Sequence, residues 1–210
     1  MDILALETST SNGGVALWRD GSLIDVREFQ SDRAHNSVLF APLAAVLAQT
    51  KDLELIVCGT GPGSYTGVRV GVAAAIGLSL ARAVPLIGLP SFCALAKACD
   101  EDRYAVCGDA RRGAWWWAEI ENRSIALPPV SGTLDDTAVR AAAWSGKVFT
   151  SDAQSPPFCD ATVTAPNAAL LASTASRLSE QAVARLTVEP VEPLYLTAPF
   201  VTVSKKPVFA

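Results

Sequence analysis

The chain has 210 residues, half of them hydrophobic and only 18% charged, with a mean hydropathy of +0.28; it suits one or two packed domains and is not an intrinsically disordered chain. Its 17 basic and 21 acidic residues give a net charge of -4 and a pI near 5.0, the wrong sign for a protein that grips nucleic acid unaided. Asp2 and Glu7 stand where a secretory leader needs basic residues, and the longest uncharged apolar stretch, residues 70–81, falls short of the ~20 needed to span a bilayer. Five cysteines without a C-x-x-C pair read as buried, reduced thiols of a cytoplasmic protein, and the one histidine, His35, as a capping or hydrogen-bonding residue ahead of a helix.

Taken in chain order, residues 3–8, 14–18 and 22–29 are short apolar or alternating runs separated by the turn signals SNGG and RDG, and predict an antiparallel meander. A helix over 36–49 follows, starting or bending at Pro42, then a strand over 53–58, a glycine-rich turn, a helix over 68–83 and a strand over 85–89. A helix over 91–99 leads to a strand over 104–109. This order, βββ then αβαβαβ, predicts an α/β mixed sheet covered by helices, as in the lobes of the actin, sugar-kinase and Hsp70 superfamily. Beyond it the reading places strands at 115–120, 148–151 and 162–164 and helices at 134–143 and 167–184. Together these predict two lobes: residues 1–102, and a shortened second lobe at 103–210 with a re-entrant tail.

The most informative segment is GTGPGSYTGVRVG, residues 59–71. A phosphate-clamping loop of the Walker type needs Lys after its last glycine, but Gly67 precedes Val68 and Arg69. In a dinucleotide fingerprint Gly61, Gly63 and Gly67 would be spaced one residue too wide. A hydrolase elbow needs glycines two residues either side of Ser64, where Pro62 and Thr66 stand. Both predicted helices flanking the turn are apolar all round. One face of each packs on the sheet and the other needs a second cover, either a later segment of the chain or a partner, with Val38, Leu39, Leu43, Val46 and Leu47 on the first and Val68, Val72, Ala75 and Ser79 on the second as the candidate partner face. Charging that face, by Ala75→Arg or Leu43→Asp, is expected to remove the partner and leave the monomer folded.

GPGSYTGVRVGVAAAIGLSLA closely resembles the signature of the bacterial TsaB (YeaZ) family, a subunit of the machinery that forms threonylcarbamoyladenosine beside the tRNA anticodon. ILALETSTSNGGVAL resembles the family's opening, with Glu7 for the common Asp; RAHNSVLFAPL, DARRGAWWWA and PLYL also match, with Thr197 where Arg is usual. The resemblance implies a two-lobed actin/sugar-kinase/Hsp70-like (ribonuclease H-like) fold and a non-catalytic subunit. It implies pairing with TsaD through the two helices, homodimerisation through the same surface when alone, recruitment of the ATPase TsaE, and tRNA contact only through the complex. No cofactor of its own is implied. Thr8, Ser9, Gly61, Gly63, Ser64, Thr66 and Arg69 are the candidate contacts for ATP or ADP at the shared interface.

The alternative is a stand-alone ATPase or phosphotransferase of the superfamily. It needs a glycine-rich adenosine loop in the second lobe, yet of 14 glycines only Gly113, Gly132 and Gly146 lie beyond Gly108. One histidine also excludes an H-x-x-x-H metal pair, and His35 has no second histidine or cysteine constellation around it to serve a protease. Trp115, Trp116 and Trp117 follow Arg111 and Arg112, a combination able to stack on tRNA bases; alternation along a strand presents at most two of them together and makes core or lobe-interface packing the favoured role.

Overall fold

The structure, a computed structural model, describes residues 1–30, 35–122 and 124–196, with the side chains of 35–37 left aside. The expectations placed on the His35 side chain and on Thr197 lie outside the described residues. The opening meander forms as expected: β1 (Asp2–Glu7), β2 (Asn12–Arg19) and β3 (Ser22–Gln30) pair antiparallel, turning at Asp20 and Gly21 with φ of 47° and 86°. α1 (His35–Leu47) crosses to β4 (Leu53–Gly59), parallel to β1, and α2 (Tyr65–Arg82) crosses to β5 (Leu86–Leu89), parallel to β4. The sheet order is β3-β2-β1-β4-β5.

Period-two alternation splits this sheet's side chains between two cores. Leu4, Leu6, Val15 and Leu17 face α1 and α2, packing with Leu39, Leu43, Val46, Val68, Val72 and Ala75. Ile3, Ala5 and Ala16 face the other way, against α4 (Ala168–Ser176) and α5 (Glu180–Val188). The sequence pattern predicts these last two helices as one, over 167–184, in the second lobe. They pack instead on the first sheet, and Ser179, whose hydroxyl accepts from the Ala182 amide at 3.2 Å, caps a fresh start at α5.

The second sheet holds β6 (Arg103–Arg111), β7 (Ala114–Glu121), β8 (Ser124–Gly132), β9 (Lys147–Thr150) and β10 (Thr162–Val163), in the order β10-β9-β6-β7-β8, with α3 (Leu134–Ala143) between β8 and β9. β6, β7 and β8 are antiparallel, while β9 and β10 run parallel to β6 and to each other. Strand for strand this repeats the first sheet, a topological repeat with no trace in the sequence. α3 stands where α1 does; residues 151–161, which hold only turns, stand where α2 does.

Two further expectations change. The predicted helix over 91–99 is a pair of 3-10 turns, Ser91–Ala94 and Ala96–Ala98, broken where extended Leu95 bridges to Pro166; Phe92, Leu95 and Ala98 pack against the second sheet. β8 is an additional strand. Its Pro128 and Pro129 fall where the pairing with β7 shifts register, on a sheet edge that tolerates missing amides.

Candidate functional site

The carboxyl ends of the parallel strands of both sheets face one cleft of about 1080 Å³, lined by residues 9–12 after β1, 62–65 after β4, 109–112 at the β6–β7 turn and 151–153 after β9. On the first wall, Glu7 is fully buried. Its Oε1 accepts from the Ser9 amide at 2.7 Å, and its Oε2 has no hydrogen-bond partner. Burial pushes this carboxyl above the usual range, against the opposing pull of the Ser9 amide. Gly59 makes the room, since a Cβ there would stand 2.0 Å from Oε2.

The turn after β4 is drawn onto the end of β1. The Ser64 amide donates to the Ser9 carbonyl at 2.6 Å, and a Cβ on Gly63 would come within 2.2 Å of that oxygen. The Thr8 hydroxyl donates to the Gly67 carbonyl at 2.8 Å, while the Ser64 hydroxyl caps α2 by accepting from the Gly67 amide at 3.2 Å. The candidate nucleotide contacts therefore divide. Ser9, Gly63 and Ser64 line the cleft, and the buried Ser9 hydroxyl has no hydrogen-bond partner. Gly61 and Thr8 are buried behind the wall, and Thr66 and Arg69 are exposed on the outside of α2. There Arg69 Nη1 donates to the Tyr65 hydroxyl at 2.6 Å and the guanidinium lies 4.6 Å over the Tyr65 ring.

The opposite wall is a tight turn in which Arg111 and Arg112 take φ of 73° and 57°. Asp152 Oδ2 accepts from the Asp109 amide at 2.7 Å, and Asp109 Oδ1 accepts from the Arg111 amide at 2.6 Å. Burial, with Asp109's charge, raises the Asp152 pKa. The sequence reading singled out the two arginines but missed Lys97, Asp152 and Tyr195 as lining residues. Two of the three tryptophans serve as core: Trp116 packs on Phe92 and also lines the cleft, and Trp117 is fully buried and donates from Nε1 to Glu119 at 2.8 Å, while half-buried Trp115 meets Phe158 edge-on. The tail closes over both lobes, the Leu194 amide donating to the Thr60 carbonyl at 2.8 Å and the Leu196 carbonyl accepting from Ser131 at 3.0 Å.

The candidate partner face requires correction. Leu39, Leu43, Val46, Val68, Val72 and Ala75 are buried in the first lobe's own core, and Val38, Leu47 and Ser79 are half-buried at its margins. Ala75→Arg and Leu43→Asp would put charge into that core, so neither tests a partner. The apolar side chains left outside are others: Phe40 at 55% exposed, Ile76 at 38% and Leu80 at 79%, set among exposed Ala41, Ala44, Ala45, Ala73, Gly77 and Ala81. Of the five cysteines expected to be buried, Cys58 and Cys107 are, whereas Cys93 and Cys159 are half-buried and Cys99 is exposed. Among the described residues no group of three or more His, Cys, Asp or Glu side chains is placed to hold a metal, and no helix is long and apolar enough to cross a membrane.

The family model for TsaD, tRNA N6-adenosine threonylcarbamoyltransferase, matches residues 30–197. The TsaB proteins of Escherichia coli and Haemophilus influenzae, described as tRNA threonylcarbamoyladenosine biosynthesis proteins, are 33% and 29% identical over 129 and 133 residues. These alignments span 58% and 60% of this chain and 55% and 56% of the relatives, so the chain matches about half the length of each. The solved structure of YeaZ from Pseudomonas aeruginosa superposes with a TM-score of 0.70 at 27% identity, over 93% of this chain and 99% of that one. The two topologically matched lobes give the chain the actin/sugar-kinase/Hsp70-like fold, and with TsaB proteins among its relatives and YeaZ superposing over nearly its whole length, the chain belongs to the TsaB (YeaZ) family.

Proposed function

We propose that the chain is a non-catalytic subunit of the cytoplasmic complex that transfers a threonylcarbamoyl group to the tRNA adenosine beside the anticodon. It docks on TsaD, and the pair recruits the ATPase TsaE. The observation that carries this reading is the solvent-facing apolar side of α1 and α2, with Phe40, Ile76 and Leu80 standing out of a bed of small residues. Large side chains over alanine and glycine allow two helices of a partner to come close, and two helices per side match a standard interface of about 1,600 Å². The acidic balance of the chain leaves tRNA contact to the partner.

The same surface serves the lone chain as a homodimer contact. Tyr65, at the amino end of α2, both lines the cleft and stands 58% exposed. ATP or ADP held at the shared interface would therefore meet Ser9, Gly63 and Ser64 at the cleft mouth.

Co-expression with the cognate TsaD tests this reading. Leu80→Asp, at an exposed position, is expected to weaken the complex by about 30-fold or more, as for an interface hot spot, and to leave the free chain folded, as a monomer, by circular dichroism and gel filtration. An undiminished complex for both Leu80→Asp and Phe40→Asp on gel filtration would remove this surface from consideration. Loss of threonylcarbamoyladenosine in cells lacking the chain, restored by wild type but not by Leu80→Asp, ties the function to the interface.

A further inference from the structure

Cys107 and Cys159 meet where the second lobe departs from the first. Their Sγ atoms lie 4.0 Å apart across 52 residues of chain. Cys107 is fully buried on β6, and Cys159 is half-buried in the 151–161 segment that replaces a helix between β9 and β10. That segment is held by its own turns, the Ser155 hydroxyl donating to the Cys159 carbonyl and accepting from the Ala161 amide, both at 2.9 Å. No helix or strand opposes the roughly 2 Å approach that a disulfide of about 2.05 Å requires. The contact with Cys107 lowers the Cys159 pKa, whereas the same contact and, after it, burial raise that of Cys107. The accessible sulfur is thus the better nucleophile and the buried one sits beside it.

We propose that Cys107 and Cys159 form a reversible disulfide modification site whose co-substrate is a low-molecular-weight disulfide. The Cys159 thiolate attacks one sulfur of that molecule, forming a mixed disulfide and expelling the other half as a thiolate. Cys107 then attacks Cys159 Sγ, its proton passing to the second half, which departs as a thiol. Two protein thiols are oxidised and one disulfide is reduced to two thiols. The bond fastens the 151–161 segment to β6 beside Asp109, and keeps Asp152 on the Asp109 amide in the second wall of the cleft.

The test uses the full chain carrying Cys99→Ser, which removes the exposed thiol, treated while folded with oxidised glutathione and then digested with trypsin. The expected product is peptide 104–111 joined to peptide 148–177, lost again on reduction, with Cys58 and Cys93 still free. Adding Cys107→Ser should trap glutathione on Cys159, and adding Cys159→Ser should leave Cys107 unmodified. The proposal is overturned if the folded chain keeps both thiols. It is equally overturned if glutathione stays on Cys159 with Cys107 present, or if the joined peptides form only after unfolding in urea.

Discussion

The buried Glu7 carboxyl, with one oxygen on the Ser9 amide and the other without a partner, holds its proton more tightly in the folded chain than in the unfolded one, because burial penalises the charged form. The folded state keeps that proton through a pH interval in which the unfolded chain, with a carboxyl near 4.3, has released it. Stability therefore falls as pH rises from the unfolded value to the raised folded value, and above the latter the loss is constant. Glu7→Gln carries no titrating proton, keeps an acceptor for the Ser9 amide, and offers an N–H toward the unpartnered Ser9 hydroxyl. Its stability relative to wild type should climb by about 1.4 kcal/mol per pH unit across that interval and then level off. Each kcal/mol corresponds to roughly 2–4 °C in melting temperature for a chain of this size. Urea unfolding of both proteins from about pH 4 to about pH 9 measures the difference, and other titrating groups cancel. A difference that stays flat with pH, or wild type gaining on the variant as pH rises, would refute the argument that the fold favours the neutral carboxyl.

Asp2 should behave in the opposite sense. Arg19 donates to both of its oxygens at 2.6 Å and, with Thr50, holds its pKa below the usual carboxylate range; the deficit of Asp2→Asn should be full above the unfolded value near 3.9 and fade as acid titrates the folded group, which acid unfolding curves will show. Leu43→Ala opens a cavity between α1 and the first sheet and should cost about 2–5 kcal/mol in chemical denaturation. Asn167→Ala removes a cap whose Oδ1 accepts from the Ala169 and Leu170 amides at 2.8 and 3.2 Å. It should cost about 0.5–2 kcal/mol and raise amide exchange at the start of α4.

The first lobe was legible because its strands alternate and its turns carry the residues that turns require. Where the reading failed, the deciding force lay between distant segments. The helix runs through Pro42 because Leu39, Leu43 and Val46 are buried on the sheet on both sides of it, which outweighs one missing amide. β8 was hidden by Pro128 and Pro129, residues that a central strand rejects and an edge strand with a register shift accepts. The helix over 167–184 carried a break signal at Ser179, but nothing local said that its pieces pack on the first sheet. For the glycine turn, no motif identified which of Thr8, Ser9, Gly61, Gly63, Ser64, Thr66 and Arg69 face the cleft. That division follows from the Ser64 amide bonding to the Ser9 carbonyl, a contact across more than fifty residues.

An all-apolar helix leaves its inward side undefined, and here the choice between sides inverts the biology. Periodicity finds the apolar stripes of α2 but does not rank them. Packing does, because the sheet took Val68, Val72 and Ala75 together with Gly67 and Gly71, the residues that bring α2 close to β1. The stripe with Ile76, Gly77 and Leu80 was left outside. The second lobe shows what the fold itself demands: it closes the matching position with the turns of 151–161 and no helix at all. An eighteen-residue α2 with an uncovered apolar side is therefore more than a parallel crossover needs, and the excess lies on the surface proposed to meet TsaD.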